Sequence, residues 1–141
     1  MGMDAFGVFQ ARQPGKWVFV ERYYDPCRGV LRAWLGGGGF SKHSDPDILT
    51  ISPIAACRGL PESFEPTERV RYNQDGIDRE DEIGSHVGEV MQSWVTVDEI
   101  LSTPLPPPVD GYQYEDVTDF FGTARRMVTA HALVRFVYGF A

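Results

Sequence analysis

The chain has 141 residues, 43% apolar and 13% aromatic, and its 20 acidic and 13 basic side chains give a formal charge of −7. One domain, 1–141, fits that length, and such a domain buries roughly 68–70% of the surface its unfolded chain exposes. The net field repels phosphates, which disfavours nucleic acid, and the lack of an apolar run of about 18 residues argues against a membrane-spanning helix.

The first residues carry no basic start followed by an apolar block, so no secretory leader is expected and a cytosolic protein is the default. Met1-Gly2 is not followed by Ser or Thr at the sixth position, where Phe6 stands, so a myristoylation start is not expected. Cys27 and Cys57 sit in no CxxC pair, which excludes a zinc ribbon and predicts two reduced, mostly buried thiols.

Residues 3–10 and 16–24 are rich in aromatic and β-branched types around a Pro14-Gly15 turn signal, and predict a β-hairpin. The alternation sets Val18 and Val20 on one face and Trp17, Phe19, Glu21 and Tyr23 on the other. Asp25 as a helix cap, Pro26 in the first helical position and the stripe Val30, Leu31, Trp34 and Leu35 then predict a helix closed by a left-handed Gly36.

The run Gly36–Gly39 raises the question of a phosphate cradle. A P-loop needs its last glycine directly before the lysine, whereas Phe40 and Ser41 precede Lys42, and these glycines follow a helix C-terminus instead of opening a helix. The expectation is a helix stop running into a loop.

A short strand is expected around Ile48–Ile51, then an irregular apolar segment and a Gly-Leu-Pro turn. Pro66 is expected to open a short helix through about Tyr72, followed by an acidic loop from Asp75 to Glu82. Thr96 and Glu99 form a capping box that starts a short helix with Ile100 and Leu101 on its apolar side. The proline run 104–108 is expected as an extended surface connector, with an SH3-type ligand as the sharper alternative. Residues 114–131 repeat Val117, Phe120, Phe121, Ala124, Met127 and Val128 at helical spacing, and 132–140 alternate as a strand. Together these predict an α+β domain: a small antiparallel sheet from the N-terminal hairpin plus the C-terminal strand, with helices packed on one face.

Several segments taken in order resemble a group of small proteins of tailed bacteriophages and prophages. The opening through Gly37 is similar to that group's Met-Gly-Cys-Asp-Ile-His start, Gly-Lys-Trp hairpin and first helix. Residues 53–61 resemble its Arg-Gly-Leu-Pro segment, residues 86–101 its Ser-Trp-Leu-Thr stretch, and residues 134–141 its closing strand. The resemblance implies a phage origin, the cytoplasm of the infected bacterial host and a shared fold, but no activity. Met3 and Phe6 stand where the group carries Cys and His, and its clustered histidines are reduced here to His86, with Ser93 and Trp94 kept.

His43, His86 and His131 show no ligand spacing; Asp4, His86 and an acid from 75–82 are the best metal candidates, and a zinc site needs three or four converging ligands. Counting Asp78 as the first position of an EF-hand-like loop places Ile83 at the obligatory glycine, so a solvated charged loop is expected instead. Cys57 beside Arg58 could pair with His86 as a nucleophile, but no hydrolase elbow accompanies it. No cofactor is expected. The first functional expectation is a small acidic accessory protein of a phage that binds a host or phage protein, in host takeover or counter-defence. Arg58, Asp75, Asp78, Glu80, Asp81, Glu82 and Trp94 are its candidate contact residues. The alternatives are a small ligand- or metal-binding enzyme with a pocket near Asp4, His86 and Trp94, and a virion component.

Overall fold

The computed structural model describes residues 4–26, 29–37, 46–62, 64, 69–82 and 87–141. Strands β1 (Ala5–Gln13) and β2 (Lys16–Asp25) form the expected hairpin, closed by a left-handed Gly15. Its register slips between Phe9, opposite Glu21, and Gln10, opposite Phe19, so Val20 is an extra residue on β2. That bulge changes the parity of the strand. Val18, Val20 and Tyr23 all reach the main core, while Phe19 packs on the opposite face. Tyr23 therefore joins the valines that the simple alternation had set apart from it.

The termini share one sheet, as expected. Residues Val134–Phe140 pair with β1, and a strand not anticipated from the sequence, Val90–Thr96, adds beyond them; with Arg69–Gln74 as β3 and Ile77–Glu82 as β4, these are β6 and β5. The sheet is antiparallel in the order β2-β1-β6-β5, and β3-β4 is a separate two-stranded sheet.

One face of the four-stranded sheet carries the main core. Helix α4 (Glu115–Ala130) lays Val117, Phe120, Ala124 and Met127 on it, and helix α3 (Val97–Ser102) adds Val97 and Ile100. Phe136 lies at the centre, 4.6 Å from the Phe9 ring, 5.1 Å from Phe120 and stacked 5.3 Å from Tyr138. The other face is closed by a smaller cluster in which Phe64, Val87 and Trp94 cover Val8 and Val137. On that face Arg135 is 4% exposed, gives its Nε–H to Gln10 at 2.9 Å and lies 4.1 Å over the Trp17 ring. Residue 88 must be glycine-sized there, because Gly88 and Gly139 cross backbone to backbone and a Cβ on either would collide with the other.

The helix expected from Pro26 is shorter. Asp25 ends β2, and α1 begins only at Leu31 (Leu31–Trp34). The intervening chain is tied to the segment before α4: Gly29 bridges to Gln113 and Val30 donates to the Gln113 carbonyl at 3.0 Å. Asp116, on α4, accepts from the Leu31 N–H at 3.4 Å and from its own neighbour Val117 at 2.9 Å, and burial raises its carboxyl above the usual range. A tertiary partner thus replaces the local cap. Gly36 does adopt the left-handed conformation that stops α1, while Gly38, Gly39, Lys42 and His43 lie outside the described residues.

In place of the strand expected near Ile48, α2 (Pro46–Leu49) is one helical turn whose Ile48, with Ile51 three residues on, is buried. The capping box at α3 is present in full, with Glu99 N–H to Thr96 Oγ1 at 3.1 Å and Thr96 N–H to Glu99 Oε1 at 2.9 Å. The proline connector runs extended to α4, with Pro106 and Val109 buried and the Pro106 carbonyl accepting from Tyr114 Oη at 2.5 Å. No described helix is long and apolar enough to cross a membrane.

Candidate partner interface

The candidate contact residues fall into two groups. Arg58 and Trp94 meet. The Arg58 guanidinium lies 4.6 Å over the Trp94 ring, donates Nη1 to Glu99 Oε1 at 2.8 Å and to the Trp94 carbonyl at 3.1 Å, and donates Nη2 to Glu99 Oε2 at 2.5 Å. Its backbone N–H bonds Ser93 Oγ at 2.9 Å. A bidentate guanidinium–carboxylate pair stacked on an aromatic ring is among the stronger partly exposed arrangements. The fork holds the Glu99 carboxyl down to about 2, helped by the Thr96 donors and opposed by partial burial. Since Glu99 also completes the α3 capping box, one carboxylate joins three pieces of chain: the 52–58 segment, the end of β5 and the start of α3. Arg58 is thereby a clasp over the edge of β5, with most of its donors satisfied inside the chain.

Cys57, on the same segment, is exposed, not buried as expected, and its thiol approaches the Gln92 carbonyl at 3.3 Å. The neighbouring cavity, lined by Cys57, Ser93 and Tyr138 among others, holds about 70 Å³. Small-molecule sites run to roughly 300–1,000 Å³, so this one suits a water or two. Cys27 lies outside the described residues.

The acidic residues form the second group, and their structure differs from expectation. Instead of a helix through Tyr72 and a loop from Asp75 to Glu82, the chain makes a hairpin, β3 against β4, with Arg69 opposite Glu82, Arg71 opposite Glu80 and Asn73 opposite Asp78. Asp75 and Gly76 form its two-residue turn with φ of 55° and 77°, the left-handed pair that a type I′ hairpin turn requires. Asn73 braces it, accepting from the Gly76 N–H at 3.2 Å and donating to Asp78 Oδ1 at 3.0 Å. The signal was present in the sequence as Asp-Gly. It was obscured because the flanking strands alternate in charge more than in hydrophobicity.

Glu80 facing Arg71 places opposite charges directly across the ladder, which supports the pairing. Every residue from Asn73 to Glu80 is exposed, Ile77 at 56%. An open cleft of about 450 Å³ runs between Arg71, Asn73, Asp78, Arg79 and Glu80. The EF-hand-like spacing fails here, because Asp78, Glu80 and Glu82 occupy an extended strand and not a tight coordinating loop.

The alternative pocket does not assemble from its described members. Asp4 exchanges backbone hydrogen bonds with Ala141 and accepts from Tyr24 Oη at 2.6 Å, whereas Trp94 is opposite Val137. Four residue steps, from Ala141 back to Val137, separate the two by about 13 Å along the chain. His86 lies outside the described residues, His131 stands at the C-terminal end of α4, and among the described residues no three His, Cys, Asp or Glu side chains converge. Comparison with protein-family models, with curated proteins and with solved structures finds no match to this chain.

Proposed function

We propose that this protein is a non-catalytic binding protein whose β3–β4 hairpin engages a basic surface of a partner protein. One observation carries the reading: a two-stranded sheet with an acidic second strand, separate from the four-stranded sheet that holds the core, is exposed from Asn73 to Glu80. Two strands alone are marginally stable in water, so a hairpin with its side chains in solvent gains from being covered. The net charge of −7 adds a long-range attraction for a cationic partner, raising the association rate at low salt. The likeness of several segments to small phage proteins supports a bacterial protein, met in the cytoplasm of an infected cell, as that partner.

The test exchanges the hairpin's charges while keeping its cross-strand pairs. In a variant with Arg69→Glu, Arg71→Glu, Glu80→Arg and Glu82→Arg, each opposed pair remains attractive but the acidic strand becomes basic. Wild-type protein is expected to capture a bacterial partner in a salt-sensitive way, and the exchanged variant to lose it. Equal capture by both proteins would refute the reading.

A further inference from the structure

We propose that the proline segment 104–109 is a second interaction element: a preformed polyproline II ridge that docks into an aromatic-lined groove with a basic rim on a partner protein. This element is independent of the hairpin. The sequence forces its conformation. Proline fixes its own φ at about −65° and holds the residue before it in the extended or polyproline II region. From Thr103 to Pro108 every residue either is a proline or precedes one. Thr103 enters the run in that region, with φ of −82° and ψ of 133°, and residues 104–109 belong to no helix or strand.

A polyproline II helix has three residues per turn and rises about 3.1 Å per residue, so every third side chain shares an edge. Burial here follows that period. Thr103 is half-buried, Pro106 and Val109 are buried, and Pro104, Leu105, Pro107, Pro108 and Asp110 are exposed. The inward edge is also held by hydrogen bonds. The Thr103 hydroxyl donates to the Glu99 carbonyl at 2.6 Å, the Pro106 carbonyl accepts from Tyr114 Oη at 2.5 Å, and the Val109 carbonyl accepts from the Tyr112 N–H at 3.1 Å. One edge therefore faces the scaffold and two face solvent: Pro104 with Pro107, and Leu105, 45% exposed, with Pro108.

A P-x-x-P segment docks in grooves lined by aromatic side chains, and a ridge already fixed in place loses little entropy on binding. Residues 104–107 are such a segment, and their two outer prolines share an open edge about 9 Å apart. Asp110 prolongs that edge by one turn. Gly111 has φ of 85° and the Tyr112 N–H bonds the Val109 carbonyl, the pattern of a type II turn, in which Asp110 keeps an extended backbone. An exposed acid at the end of the ridge, in a chain of charge −7, matches a basic rim on the groove.

The probes are an SH3, a WW and an EVH1 domain, each with a lysine or arginine at the rim of its groove, titrated with the intact protein. Each is also made with one groove aromatic replaced by alanine, and with the rim residue replaced by glutamate. At least one unaltered domain is expected to bind, its glutamate form more weakly, and its alanine form about tenfold or more weakly. Leu105→Asp and Pro107→Ala in the protein are expected to lower affinity as much as the alanine form does. Both side chains are exposed, so the melting midpoint should hold. Ile77→Ser, on the hairpin, is expected to bind as wild type does. Binding to none of the three domains overturns the inference. Binding that survives both Leu105→Asp and Pro107→Ala, or falls equally with Ile77→Ser, places the contact elsewhere and also overturns it. Indifference to the rim residue overturns the charge match. Self-association that Leu105→Asp abolishes shows the ridge taken by a second copy, and likewise overturns the inference.

Discussion

The four-stranded sheet and the β3–β4 hairpin are built from the same backbone ladder and solve opposite problems. The sheet is covered on both faces, by α3 and α4 on one and by Phe64, Val87 and Trp94 on the other, and its two edges are bulged or clasped. The hairpin is closed by a tight turn, sets opposite charges at facing positions of its two strands, and is exposed from Asn73 to Glu80. Fold stability therefore resides in the sheet, and the surface proposed to meet a partner lies in the hairpin. A substitution should report on one or the other, seldom on both.

The largest effect is expected at the centre of the core. Phe136→Ala removes a ring that touches Phe9, Phe120 and Tyr138 and fills the space above Gly7. Denaturant unfolding should show a loss of about 3–5 kcal/mol, since close neighbours cannot collapse fully into the cavity. The hairpin is expected to survive wherever the fold does, because it forms a sheet of its own, separate from the one built around Phe136.

A smaller effect, with a distinctive pH dependence, is expected at the clasp. Glu99 is held at about 2, mainly by the Arg58 hydrogen bond, against an ordinary value near 4.3. A depressed carboxyl contributes stability that is fully present above its unfolded value and is lost as pH falls through its folded value. The loss should run from about pH 4.3 down to about pH 2. Both side chains are about a third exposed, at 31% and 34%, so the solvent-screened contribution is about 1 kcal/mol. Unfolding midpoints compared at pH 7 and pH 2.5 should show a difference that shrinks by that amount in Glu99→Gln.

The smallest effect on global stability is expected in the hairpin. Glu80→Lys sets a lysine opposite Arg71, replacing an attractive cross-strand pair by a repulsive one. Reversing this charge would be without structural consequence in a loop, but not in a ladder. Global unfolding should change by less than about 0.5 kcal/mol, while amides within 71–80 exchange faster. An equal loss of protection in β1 and β6 would show that hairpin and sheet unfold as one unit.

Much of the sheet was legible in the sequence, because β1, β2 and β6 alternate in apolar residues and α4 repeats them at helical spacing. The capping box at Thr96 was legible for the same reason: all its chemistry lies within four residues. What escaped depends on distant partners. β5 carries a left-handed Met91 and a register shift that break its alternation, and it exists because β6 offers a free edge. The α1 start depends on Gln113 and Asp116, about eighty residues away. The Arg58–Trp94–Glu99 clasp likewise joins residues 36 and 41 positions apart, with no local pattern to announce it. In the hairpin the turn was readable and the strands were not, because charge pairing across a ladder leaves no hydrophobic period along either strand.

Residue-resolved amide exchange of the protein tests most directly the separation between a closed scaffold and an open hairpin. Free protein should protect β1 and β6 far more than β3 and β4. Equal protection of β1, β3, β4 and β6 would contradict that separation.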